Sequence, residues 1–127
     1  MAIRTELTLR LPNSPGQLAR VCQALADERV NIVAMDVNQP GTLRMVVDNP
    51  LHAAASLRER HYQVEERDVL YTITPNDPGA LGRMARLMAE AGINVEYLYT
   101  TAVEGHEMAA VVVGVPDVRR ASAAAGM

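Results

Sequence analysis

The sequence contains no tryptophan and no phenylalanine, and its aromatic residues are four tyrosines. Any core must therefore be aliphatic. There is a single cysteine, Cys22, which excludes an internal disulfide and a paired-cysteine metal loop. No apolar run approaches the roughly 18 residues that span a bilayer. The opening Ala2-Ile3-Arg4-Thr5-Glu6 lacks the charged-then-apolar build of a signal peptide. An excess of basic charge is missing too: 12 Lys and Arg against 15 Asp and Glu give a net charge of -3. Nothing global then draws the chain to nucleic acid or to an anionic membrane. Also absent are a Gly-x-Ser-x-Gly elbow, a P-loop and a Gly-rich dinucleotide fingerprint. His52, His61 and His106 are scattered without ligand spacing, and Cys22 sits on an apolar helical stripe. These absences lead us to expect a cytoplasmic protein that is not an enzyme and uses no metal or cofactor.

What the chain does have is a copy of itself. Pro12-Asn13-Ser14-Pro15-Gly16-Gln17-Leu18 recurs 63 positions later as Pro75-Asn76-Asp77-Pro78-Gly79-Ala80-Leu81. The same offset carries Val30-Asn31-Ile32 to Ile93-Asn94-Val95. A period this long marks a duplicated domain. We place the first at residues 1–67 and the second at 68–127. No Gly/Pro/Ser-rich linker separates them.

Each copy reads as strand, helix, two strands, helix. Residues 3–11 alternate, with Ile3, Leu7, Leu9 and Leu11 on one face and Arg4, Glu6, Thr8 and Arg10 on the other, as a half-buried strand does. Residues 69–74 are the counterpart. Ser14 and Asp77 are candidate N-caps, with Pro15 and Pro78 at the first helical position. Leu18, Val21, Cys22 and Leu25, and Leu81, Met84, Ala85 and Met88, recur at helical spacing. Strands are expected at 31–37 and 42–48, turned by Asn38-Gln39-Pro40-Gly41, and again at 94–101 and 108–113. Pro50 and Pro116 are expected to open second helices. A short strand near 63–66 closes the first copy. The second runs out at Ala-Ser-Ala-Ala-Ala-Gly-Met without one. The expected fold is α+β: two ferredoxin-like βαββαβ repeats, antiparallel sheets with helices on one face, the second repeat lacking its last strand.

The Pro-Asn-x-Pro-Gly junction is the informative element. A helix N-terminus presents unpaired N–H groups and partial positive charge, suited to a carboxylate or phosphate. A turn and a cap would use the same residues. Recurrence at both equivalent positions, with Asn31 and Asn94 at the next strand entrances, tilts the reading toward a site.

At these residues the chain resembles the ACT family of amino-acid-sensing regulatory domains. The matches are Asn13-Ser14-Pro15-Gly16-Gln17-Leu18 with Val30-Asn31-Ile32, and Asn76-Asp77-Pro78-Gly79-Ala80-Leu81 with Gly92-Ile93-Asn94-Val95. The closest likeness is to short stand-alone proteins made of two such domains. The resemblance implies a free amino acid bound at a domain–domain interface. The implied ligand-binding residues are Asn13, Ser14, Gly16, Gln17, Leu18, Asn31 and Ile32, and Asn76, Asp77, Gly79, Ala80, Leu81, Asn94 and Val95. Asn13 and Asn76 stand where the family often has Asp, so a charge that would meet an ammonium is missing. The resemblance also implies an alternative role, a regulatory subunit docked on an amino-acid biosynthetic enzyme. Apolar residues on both faces of Ile32-Val33-Ala34-Met35 and Ala109-Ala110-Val111-Val112-Val113 add an expected homodimer, dissociated by a charge at Val112.

Overall fold

The computed structural model describes residues 2–39 and 41–125. Met1, Pro40 of the first hairpin turn and the terminal Gly126-Met127 lie outside the described residues. The elements follow in the order β1 (Ala2–Arg10), α1 (Gln17–Asp27), β2 (Ile32–Asn38), β3 (Thr42–Val47), α2 (Pro50–Glu59), β4 (Glu65–Pro75), α3 (Ala80–Glu90), β5 (Tyr97–Thr101), β6 (Met108–Gly114) and α4 (Val118–Ala124). They form two compact units. One is Thr5–Arg67; the other runs from Asp68 onward and takes in Arg4 and the residues before it.

In the first unit β3 lies between β2 and β1, antiparallel to both. Leu7 faces Met45 and Leu9 faces Leu43, while Met35 and Val37 face the same two residues from β2. Cross-strand partners share a face, so these side chains line the side that α1 and α2 cover. Leu7, Leu9, Val21, Leu25, Leu43, Met45 and Leu57 pack there into one aliphatic core. In the second unit β6 lies between β4 and β5, again antiparallel. Leu70, Met84, Met88, Val111, Val113 and Ala121 form its core. The α+β repeats with helices on one sheet face are as the sequence implies, and no strand follows α4 among the described residues.

Several local expectations are corrected. The first helices begin later than the caps suggested. Ser14 and Asp77 do not cap them; Gly16 (φ 89) and Gly79 (φ 91) occupy the N-cap in the left-handed conformation, with no side-chain cap bond. Glycine enters that region without the Cβ clash other residues meet. Pro116 precedes α4 instead of opening it: the cap is Asp117, which accepts from the Arg120 N–H. Pro50 does open α2, behind Asn49. Asn94 and Val95 lie before β5, which starts at Tyr97. The two short strands expected at 63–66 and 69–74 are one continuous strand, β4. Leu18 is 38 % exposed and Ala85 is exposed, so the apolar stripes are narrower than read.

The helix ends are firmly closed. Val30 N–H donates to Leu25 O and Arg29 N–H to Ala26 O; Tyr62 and His61 do the same with Leu57 and Arg58, and Ile93 and Gly92 with Met88 and Ala89. This paired pattern satisfies the last carbonyls and needs a left-handed residue after the helix. Gly92 supplies it for α3, while Arg29 (φ 57) and His61 (φ 71) adopt it in α1 and α2.

The sheet faces turned away from the helices are buried in part. Glu6 and Val46 on one, and Val69 and Val112 on the other, are fully buried within the single chain. Arg4 lies over the Tyr71 ring at 4.7 Å. The polar alternation of β1 thus marks a covered face that carries a carboxylate. A charge at Val112 enters a buried position, which removes it as a probe of dimer dissociation.

Candidate ligand-binding site

Each repeat brings its Pro-Asn-x-Pro-Gly loop to the end of the sheet where the two inner strands turn. In the first repeat Arg10 faces Thr42 and Thr42 faces Asn38, so the loop after β1 stands beside the β2–β3 turn. Leu11 N–H donates to Gly41 O at 2.8 Å and ties the two together. Gly41 has φ 109, and a Cβ there would come within 2.6 Å of Leu11 O. Only glycine fits this approach.

Between loop and turn lies a cavity of about 610 Å³, lined by Asn13, Val37, Asn38, Gln39 and Gly41. Its volume is that of a small-molecule site. The Asn13 side chain has no hydrogen-bond partner among the described residues. Asn38 donates from Nδ2 to Asp36 Oδ2 at 3.1 Å. Val37, 45 % exposed, supplies an apolar wall. A Cβ at Gly16 would meet nothing within 4 Å, so the backbone at the head of α1 is open to approach.

The second repeat has the same loop with its side chains engaged. Asn76 donates from Nδ2 to Val103 O at 3.1 Å and to His106 O at 3.0 Å. Its backbone N–H donates to Glu107 O at 2.8 Å. Asp77 pairs with Arg83 at 3.0 Å. The same Arg83 would stand 3.3 Å from a Cβ at Gly79. Asn76 and Asp77 here tie the loop to the β5–β6 turn and to α3.

The remaining sequence candidates divide. Ser14 accepts from Gln17 Nε2 at 3.0 Å, a contact within the loop. Gln17 is half-buried at the head of α1 and faces a different cavity, described below. Leu18 and Leu81 are exposed, whereas Ala80 is buried. Asn31 is pinned at the start of β2 by Asp48, whose Oδ1 accepts its N–H at 3.0 Å. Seven residues of β2 separate it from the loop end of the sheet, a distance of about 20 Å. Ile32 and Val95 pack against the two cores. Asn94 lines a small cavity of about 170 Å³ with Gly92, Ile93, Pro116, Asp117 and Arg120. Within one repeat, then, the loop and the strand entrance are at opposite ends. Sequence reasoning missed Val37, Asn38, Gln39 and Gly41 as lining residues. The signal was there, since parallel β1 and β2 must end on the same side of a sheet in which both flank β3.

Among the described residues no group of three His, Cys, Asp or Glu side chains is placed to hold a metal ion. No helix among them is long and apolar enough to cross a membrane.

The fold and the loop cavity define a class: tandem ferredoxin-like repeats with a glycine-headed helix beside a hairpin turn. Residues 5–61 match the model of the ACT domain family, and the second repeat has the same fold as the first. No curated protein matches the sequence. Among solved structures, protein BT0572 from Bacteroides thetaiotaomicron superposes with a TM-score of 0.90 at 28 % identity, over 98 % of this chain and 87 % of its own. The ligand-free regulatory subunit of aspartate kinase from Thermus thermophilus superposes with a TM-score of 0.71 at 19 % identity, over 98 % of this chain and 92 % of its own. Aspartokinase III of E. coli, in complex with lysine and aspartate, superposes at 0.58 with 18 % identity; the match covers 94 % of this chain and 30 % of the enzyme.

Proposed function

We propose that the protein is a non-catalytic regulatory module that senses a free amino acid, and that its first repeat holds the working loop. The observation that carries this reading is the unequal use of one asparagine. Asn13 has no carboxamide hydrogen bond among the described residues and stands beside a 610 Å³ cavity, while Asn76 is bonded to two carbonyls. A neutral carboxamide both donates and accepts, so it can meet either end of an amino acid. The family and the aspartate kinase regulatory neighbours support the ligand class.

Two substitutions test the inequality. Asn76→Ala removes two hydrogen bonds and is expected to lower stability by about 1–2 kcal/mol, with ligand response kept. Asn13→Ala is expected to leave the unfolding midpoint within about 0.5 kcal/mol of wild type and to weaken the response. Denaturant unfolding and calorimetric titration of both variants check this. The reverse pattern would assign the working loop to the second repeat.

A second reading, docking onto a biosynthetic enzyme as its regulatory subunit, draws support from the same neighbours. A homodimer is compatible with either. Its motivation is now the edge strands: β2 and β5 each pair on one side in their own unit, and carry Val37 and Leu98, 45 % and 37 % exposed. Sedimentation equilibrium of the purified chain gives the answer: a mass near the 13.8 kDa of one chain argues against the dimer.

A further inference from the structure

On the other side of the first Pro-Gly loop lies a second cavity, of about 390 Å³, lined by Arg10, Pro12, Gln17, His61, Tyr62, Gln63 and Glu65. Arg10 comes from the end of β1, Pro12 from the loop after it, Gln17 from the head of α1, His61, Tyr62 and Gln63 from the connection between α2 and β4, and Glu65 from the start of β4. All belong to the Thr5–Arg67 unit. We infer that this cavity is a zwitterion-binding site, with Arg10 for the carboxylate and Glu65 for the ammonium of an α-amino acid.

The charge arrangement carries the inference. Arg10 and Glu65 line one cavity, yet neither side chain makes an ion pair or hydrogen bond with any described residue, including each other. Two other acids of this unit are engaged: Glu66 pairs with Arg58 at 3.2 Å and Glu28 with His52 at 3.1 Å. A cation and an anion lining one cavity, both side chains unpaired among the described residues, complement a molecule carrying both charges. The guanidinium fork takes a carboxylate through two parallel hydrogen bonds, and a carboxylate accepts from an ammonium. Between them, Gln63 brings an amide that donates and accepts. The half-buried Tyr62 ring and Pro12 offer apolar surface to a side chain.

The wall that bears Glu65 is held in place. His61 sits in the left-handed conformation (φ 71), fixed by its N–H on Arg58 O at 3.0 Å and the Tyr62 N–H on Leu57 O at 3.1 Å. Arg58 also donates to Val64 O at 2.8 Å. A wall pinned at both ends loses little freedom on binding. The second repeat lacks the counterpart of Arg10: Ile73 takes its place, 63 positions on.

The inference rests on the amino-acid reading above but on different residues, so the two separate in one experiment. The twenty free amino acids are titrated singly into wild type, Arg10→Gln, Glu65→Gln and Asn13→Leu, with circular dichroism confirming each fold. For each amino acid that binds, its N-acetyl and carboxamide derivatives follow. We expect Arg10→Gln and Glu65→Gln each to weaken binding about tenfold or more, the loss of one charge-assisted contact. We expect wild type to ignore both derivatives, since each lacks one of the two charges. Unchanged affinity in both charge variants overturns the zwitterion site, and if Asn13→Leu alone abolishes binding, the amino-acid reading survives without it. No binding by any amino acid overturns both.

Discussion

Val112→Asp is expected to unfold the second repeat. Val112 lies in the centre of β6, paired to Tyr71 on one side and Tyr99 on the other, and is fully buried. The neighbouring Tyr97 and Tyr99 rings stack at 6.4 Å, with Tyr97 lying over Gly114, where a Cβ would meet its ring at 2.3 Å. β6 itself reads Met-Ala-Ala-Val-Val-Val-Gly and offers the carboxylate no cation, and the Arg4 guanidinium is already engaged over the Tyr71 ring. Burying an unpaired charge costs more than about 4 kcal/mol, a large share of the stability of a domain this size. The variant should lose its cooperative thermal transition at neutral pH, and Val112→Ala should keep a transition at lower temperature. A folded Val112→Asp chain of unchanged midpoint would mean that this face is open to solvent.

Gly41→Ala is expected to be the most costly single methyl in the first repeat. The residue has φ 109, and the added Cβ would sit 2.6 Å from Leu11 O, the carbonyl of the residue whose N–H anchors the loop. The positive φ alone costs an alanine about 1–2 kcal/mol. Relieving the clash pulls apart the Leu11 N–H to Gly41 O bond, for a total near 3 kcal/mol. A fall in melting temperature of about 10 °C should result. Gly105→Ala is the control: its φ is 85, but nothing lies within 4 Å of the added carbon, so only the backbone term applies. Equal midpoints for the two variants would contradict the close approach. Because Gly41 also lines the loop cavity, its variant should respond more weakly to ligand than the control does.

The repeat, the order of elements and the helix-covered side of each sheet were legible because each follows a periodicity. Leu7 and Leu9 face Leu43 and Met45 as alternation requires. Caps were less legible. Ser14 and Asp77 satisfy the rule for an N-cap followed by proline, but the chain passes through a left-handed Gly16 or Gly79 first, and the helix starts behind it. A preference for one residue type cannot show which of two adjacent signals the backbone obeys. The far face was misread for another reason. Polar alternation at Glu6 says that the face differs from the core, and what covers that face is a matter of tertiary structure. The candidate site was half visible. Asn13 and Gly16 came from the motif, while Val37, Asn38 and Gly41 reach it through strand register, and Arg10 and Glu65 through a cavity that brings together residues 55 positions apart. Asn13 and Asn76 looked equivalent in sequence; hydrogen bonds to a turn nearly thirty residues downstream make them different.

Thermal shift of the purified chain against the twenty free amino acids tests the central claim most directly. A ligand that binds the folded chain stabilises it by mass action, about 2.7 kcal/mol at a hundredfold excess over Kd. At least one amino acid is expected to raise the midpoint by several degrees, with Asn13→Ala reducing the rise and Asn76→Ala retaining it from a lower starting point. A flat response across all twenty would contradict the central claim.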